Sequence, residues 1–323
     1  MKKFTVIFVF LTIIVLTATI LLNPFKAPSG DSKQYIFTVS KDPDDEVIGL
    51  KLSEEGFVRS IFVFEFALSL KGQQGKIQEG GYYLSKNMDT WGVIDELSKG
   101  PDLKWVTVLP GMRKEQIGER LSEALGWSDR ELENWNETYT AMKFDYLEGV
   151  YFPDTYLIPV DESGLKIANR MINNFNEKFA PYLPEFAKKD VIWTTGLRLA
   201  SLIQREAAGP RDMKLISGIL WNRLEAGQKL EVDATVQYAK GKTDGNWWPR
   251  VTGSDIQDID SPYNTYKNKG LPPHPIANPG IEAIEAALNP DETDCFYYLH
   301  HQRQIYCAKT YEEHKENIEK YLN

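Results

Sequence analysis

Metal chemistry has little to work with in this sequence. Its 323 residues include two cysteines and four histidines, and neither CxxC nor HExxH occurs. No structural or catalytic zinc site is expected, and no cofactor is called for. Basic charge is also short. The 37 Lys and Arg against 46 Asp and Glu leave a formal charge of −9 without a long basic run, which argues against nucleic acid as a partner. Other catalytic signatures are incomplete. Ser163 to Lys166 reads SxxK but no SDN or KTG accompanies it, no GxSxG exists, and Gly241-Lys242-Thr243 has Val236 where a phosphate loop needs glycine. What the chain does have is 42% hydrophobic and 12% aromatic residues, a globular composition with length for two cored domains.

Charge is wholly absent from Phe4 to Leu22, and Lys2 and Lys3 precede that run. Its ~19 residues would rise about 28 Å as a helix, near the thickness of a bilayer core. This predicts one retained span, with the N-terminus cytoplasmic and the bulk of the chain beyond the cell membrane. A cleaved signal peptide is the competing reading, but no small-x-small site follows Leu22. Asn23 to Ser32 reads as a Pro/Gly/Ser linker, so residues 1–33 are assigned to tip, anchor and linker.

Residues 34–145 read as a first α+β domain. YIFTV is a strand candidate, and Val47 to Glu55 a helix with Val47 and Leu50 inward and Ile48 and Leu52 as further candidates for that face. The apolar Ile61 to Leu70 suggests a helix packed beneath its neighbours. Val106 to Leu109 and Glu115 to Leu125 repeat the strand–turn–helix pattern. Ile48-Gly49 and Leu52-Ser53-Glu54 match Ile117-Gly118 and Leu121-Ser122-Glu123, a short internal repeat. The pattern is LysM-like, that of a small module binding aminosugar polymers in many wall proteins. The plainer alternative is an α+β spacer.

Residues 146–323 read as a second α+β domain. It opens with a loop and short strand in LEGVYFPDTYLIP, followed by a helix over Gly164 to Phe179. In LRLASLIQREAAGPRDMKLISGILWNRL, Leu199, Leu202, Ile203 and Glu206 fall at i, i+3, i+4 and i+7, so the carboxylate continues the apolar stripe. Desolvation there favours the protonated acid, a usable proton donor near neutral pH. The alternative is a surface Glu paired with Arg205 or Arg211. Thr194 or Thr195 is the expected cap of this helix. Glu148, Asp154 and Asp233 are the other candidate acids. From Leu230 to Gly280 the chain is rich in Asn, Asp, Thr, Tyr and Pro, as loops lining a cleft are. Trp247, Trp248, Tyr263 and Tyr266 are candidate platforms for sugar rings, against the commoner role of aromatics in a core.

LEGVYFPDTY, LASLIQREA, ILWNRLEAGQKLEVDATVQYA, SPYNTY, GLPPHPIANPG and Thr310 to His314 together resemble the YceG-like, or MltG-type, endolytic murein transglycosylases. The likeness runs from about Tyr35 to the C-terminus. It implies a bacterial inner-membrane protein with a single transmembrane helix, a LysM-like domain and an extracytoplasmic catalytic domain. The implied activity is that of a lyase cutting nascent peptidoglycan strands, with cell-wall synthases as candidate partners. The family's catalytic acid/base is the second acidic position of a motif usually written ASIVEKE. Glu206 holds that position, Gln204 replaces the first acid, and His274 stands where the family often has Gly. Asn222, Asp233, Thr235, Gln237, Tyr263, Asn264 and Asn278 are the polar motif residues expected around the glycan, some of them only holding loops. Glu206 would act as general acid and then base, leaving 1,6-anhydro-N-acetylmuramyl ends. A wall-binding scaffold that does not cut is the rival from another class.

Near the C-terminus, Cys295 to Leu299 and Ile305 to Lys309 read as paired strands. A loop centred on His301 would set Cys295 opposite Cys307, close enough for a disulfide outside the membrane.

Overall fold

The structure, a computed structural model, describes residues 23–141 and 148–322. The expected span at Phe4 to Leu22 lies outside these residues, and among the described residues no helix is long and apolar enough to cross a membrane. The architecture is α+β, with one four-stranded sheet ordered β1-β2-β3-β4 and one two-stranded sheet, β5-β6. The chain forms two compact units. One comprises residues up to Trp105 together with Leu157–Val160, and the other Val106–Tyr156 with Asp161–Asn323.

In the first unit the order is β1 (Gln34–Val39), α1 (Asp45–Glu54), α2 (Ile61–Leu70), β2 (Gly80–Ser85) and α3 (Thr90–Ser98). β1 and β2 pair antiparallel from Gln34↔Ser85 to Val39↔Gly80. Alternation turns Phe37 and Val39 inward, where they meet Leu52, Phe64, Tyr82, Leu84 and Ile94 in one core. The Asp44 side chain caps α1 by accepting from the Glu46 N–H. The buried face of α1 is Ile48, Gly49 and Leu52, while Val47 and Leu50 are exposed. Of the four inward candidates, Ile48 and Leu52 are buried and Val47 and Leu50 are not. Gly49 sets this phase: a Cβ there would lie 2.9 Å from Phe64 Cδ1, so the bare backbone is what lets α2 approach. Asn23 to Ser32, expected as a free linker, is packed down instead. Phe25 stacks on Trp91 at 5.0 Å, and the Arg59 guanidinium donates to the Lys26 and Ala27 carbonyls at 3.0 Å.

β3 (Leu103–Thr107) and β4 (Thr155–Pro159) each run from one unit into the other. The second unit holds α4 (Lys114–Leu125), α5 (Asp129–Asn134), α6 (Gly164–Phe179) and α7 (Leu183–Lys188). After these come α8 (Trp193–Glu206), α9 (Met213–Glu225), α10 (Asp233–Lys240), α11 (Gly253–Asp258) and α12 (Ile281–Leu288). The hairpin β5 (Tyr297–His301) and β6 (Gln304–Ala308) precedes α13 (Tyr311–Leu322). α4 buries Ile117, Gly118 and Leu121. A Cβ on Gly118 would lie 2.5 Å from Trp135 Cδ1, so both halves of the short repeat use their glycine to admit an aromatic ring.

α8 is the centre of this unit. It packs on α7, α9, α10 and α12 through Gly196, Leu199, Ala200, Leu202 and Ile203, all buried. α12 meets it with Ala283, Ile284, Ala286 and Ala287, and the three alanines allow close approach. The N-cap of α8 is Ile192 without a side-chain cap, so the expected threonine caps are not used. The Arg198 guanidinium donates to Thr195 Oγ1 instead.

Candidate active site

Glu206 is the last residue of α8, with Ala207 as its C-cap. A helix C-terminus carries a partial negative charge, so this end disfavours a carboxylate. Crowding by protein atoms is the main influence that raises the pKa of Glu206 above the ordinary carboxyl value, and the Asp233 charge adds to it. The Tyr298 hydroxyl, His300 and the Ala234 N–H act in the opposite sense. Tyr298 donates to Glu206 Oε2 at 2.6 Å. Among the described residues no ion pair joins Glu206 to Arg205 or Arg211, and the Arg205 guanidinium lies 3.9 Å above the Trp248 ring.

The hairpin that follows α12 brings the nearest partners. Tyr298 and His300 are two apart on β5, hence on one face. Burial, then the Glu206 charge, pushes the Tyr298 phenol well above its usual value, so it remains a donor. His300 Nε2 is 2.7 Å from Asp212 Oδ2. Asp212 also accepts from the Ala208 and Gly209 N–H groups, which fixes the turn leaving Glu206. Asp233 opens α10 on the other side and accepts from the Tyr266 hydroxyl at 2.7 Å.

Cysteine pairing holds the hairpin, in a register other than the expected one. Tyr298, not Cys295, faces Cys307, because the turn is the two-residue Gln302-Arg303, both with positive φ. Cys295 precedes the strand and still reaches Cys307 in a disulfide with a Cα separation of 5.8 Å.

Two clefts adjoin the acid through its chain neighbours. One, of about 390 Å3, is lined by Pro110, Gly111, Gln116, Arg120, Arg205 and Trp248 among others. The second, of about 550 Å3, is lined by Ala208–Asp212 and Arg303–Ile305. Trp248 Nε1 donates to Gln116 Oε1. Arg113 lies 4.1 Å from the centre of the Tyr238 ring and 4.8 Å from that of Trp247. Tyr263 packs on Tyr238 at 4.8 Å. Beyond them Glu148 is fully buried, accepting from the Lys114 N–H and Asn278 Nδ2 through Oε1. Burial and the nearby Glu115 carboxylate push its pKa up to about 8.

The polar residues expected around a ligand separate by position. Asp233 lies beside Glu206, Gln237 is one turn further on the same face of α10, and Tyr263 is half-buried in the aromatic cluster. Four others have their polar groups engaged inside the protein. Asn222 Nδ2 donates to the Thr293 and Cys295 carbonyls. Thr235 bonds Thr265 and the Val232 carbonyl. Asn264 Nδ2 holds the Ile256 and Ile259 carbonyls. Asn278 Oδ1 accepts from Gly149 and Tyr151, and its Nδ2 donates to Met112 and Glu148. Gln204 Oε1 accepts from the Gly280 N–H, so the amide in place of an acid anchors the proline-rich loop. Of the other candidate acids, Asp154 is exposed and bonds Asn174. Sequence reasoning missed Tyr298, His300 and Asp212. The available signal was two polar rings at strand spacing in Tyr297 to His301.

The chain is similar to known proteins over most of its length. The model of the YceG-like family matches residues 37–320. An endolytic murein transglycosylase of Bacillus subtilis is 33% identical, over 92% of this chain and 84% of its own length. One of Streptococcus pneumoniae is 27% identical over 91% of this chain, which spans 60% of that longer protein. A crystal structure of a YceG-like protein of Listeria monocytogenes matches 88% of this chain and 98% of its own, with a TM-score of 0.61 and 27% identity. A family match over nearly the whole chain gives the assignment: this protein belongs to the YceG-like family.

Proposed function

We propose that this chain is an endolytic lytic transglycosylase that cuts peptidoglycan glycan strands, anchored by one N-terminal helix in the cell membrane with its bulk outside. The relatives' names support the substrate class. The observation that carries the chemistry is Glu206, a carboxyl at a helix C-terminus, held toward its protonated form and touched by one phenol.

The reaction follows from one acid. Protonated Glu206 gives its proton to the glycosidic oxygen as the bond from that oxygen to the muramyl C1 breaks, leaving an oxocarbenium-like centre. The Glu206 carboxylate then takes the proton from the C6 hydroxyl of the same sugar, whose oxygen bonds C1 and closes the 1,6-anhydro ring. Glu206 ends protonated and ready for another strand. Tyr298 steadies the carboxylate between the steps, and the negative charge of Asp233 favours both the protonated start and the cationic centre. The strand–helix–helix–strand order of the first unit supports its reading as a LysM-like module that holds the glycan. Cell-wall synthases are the candidate protein partners.

Digestion of purified glycan strands by the full chain in detergent, with mass analysis of the ends, tests this reading. Anhydro-muramyl ends that disappear with Glu206→Gln are expected. Reducing ends would mean a hydrolase, and uncut strands that nevertheless bind would mean a scaffold.

A further inference from the structure

α2 is apolar on both faces, with Glu65 its only charge. Phe64, Ala67 and Leu68 enter the core, while Phe62, Phe66 and Leu70, at i, i+4 and i+8, form one exposed stripe at 77%, 56% and 63% exposure. A helix apolar all round is ordinarily buried or in contact with lipid, and a contiguous exposed stripe of large apolar groups marks a contact surface.

The chain itself indicates what covers it. The uncharged run ends at Leu22, and three residues later, within about 10 Å of extended chain, Phe25 packs 6.4 Å from Phe66 and 5.0 Å from Trp91. Phe25 is fixed there, its carbonyl accepting from the Thr90 N–H at 2.8 Å. Arg59, just before α2, grips the Lys26 and Ala27 carbonyls, and the Ser29 N–H bonds the Lys86 carbonyl. The exit from the span is thus bound to the edge of the exposed stripe. Phe25 and Trp91 border it, and Lys71, paired with Asp95 and 5.8 Å from the Trp91 ring, follows Leu70 at the end of α2, so aromatic groups and a lysine flank the apolar face, as in helices seated among lipid headgroups.

We propose that the Phe62–Phe66–Leu70 face of α2 lies on the outer surface of the bilayer that residues 4–22 enter. The proposal rests on the reading of 4–22 as a retained span. α2 then lies along the membrane plane, and the first unit is held against the lipid by two attachments.

The test uses the full chain in phospholipid vesicles with acyl chains brominated near the glycerol end. The two native cysteines are joined, so a cysteine introduced as Phe62→Cys, Phe66→Cys or Ile36→Cys takes a bimane label alone. Ile36 is exposed in the same unit on the opposite face of β1 from Phe37. Labels at 62 and 66 should be quenched by the brominated lipid and blue-shifted, with the label at 36 unchanged. Adding Phe62→Asp and Leu70→Asp should abolish quenching at 66. Unquenched labels at 62 and 66 in a chain that resists alkaline carbonate extraction would overturn the docking and leave the anchor standing. Release of the chain by carbonate would remove the anchor reading, and this proposal with it. Ready disulfide-linked dimers through Phe66→Cys would assign the face to a second copy and also overturn it.

Discussion

A carboxyl at the last residue of a helix meets the negative end of the backbone dipole, and Glu206 meets protein atoms and Asp233 as well. Tyr298 works against these by stabilising the charged form. In Tyr298→Phe that hydrogen bond is gone, so Glu206 holds its proton to higher pH and the alkaline limb of the activity profile moves upward. kcat should fall roughly tenfold, the worth of one charge-assisted bond of about 1.5 kcal/mol. A pH profile of strand cleavage checks both directions. Glu148 gives a stability prediction. Its carboxyl ionises near 4.5 when unfolded and near 8 when folded. Between those values the unfolded chain has released a proton that the folded chain keeps, so stability is greatest below about 4.5 and falls as pH rises through about 8. Glu148→Gln keeps an acceptor for Lys114 and Asn278 and has no charge to lose. Its unfolding midpoint in urea should lack most of that decline.

At the scale of elements, the disulfide hairpin and the repeated glycines are the informative parts. Cys295 and Cys307 close a loop across the foot of the hairpin that presents Tyr298 and His300. Cys295→Ser with Cys307→Ser should cost about 3 kcal/mol in denaturant unfolding, the scale for a loop of this length, and lower kcat as Tyr298 loses its support. Gly118→Ala drives a methyl against Trp135, and overpacking of this kind costs about 1 to 3 kcal/mol, read as a lower thermal midpoint. Periodicity was enough to show α6 and α8, and to put Glu206 at the end of a buried stripe, because each has one clear apolar face over several turns. It left the inner face of α1 undecided among Val47, Ile48, Leu50 and Leu52, where the contact between Gly49 and Phe64 selects Ile48 and Leu52. The partners of Glu206 were hidden for a different reason. Tyr298 lies ninety-two positions away by sequence, and only the return of the hairpin onto α8 brings it close. The polar motif residues are alike in type, so nothing local separates Asp233, beside the acid, from Asn278, whose four hydrogen bonds fasten one loop to another.

For the whole molecule, the proposed topology rests on charge placement, with Lys2 and Lys3 before the uncharged run. Protease added to intact spheroplasts should degrade all but a short N-terminal fragment carrying residues 4–22. Full protection of the chain would place it inside and contradict the reading. The division into units has a further consequence for any attempt to take the protein apart. Leu157–Val160 belongs with residues up to Trp105 although some fifty residues of the other unit intervene, and the Val160 N–H bonds the Asp102 carbonyl. The boundary is therefore not a point in the sequence, and no single truncation isolates either half. A fragment stopping at Trp105 leaves a strand behind, and one starting at Val106 carries that strand away without its partners. Replacing the front module by simple end-to-end fusion would, for the same reason, leave Leu157–Val160 without the residues it packs with.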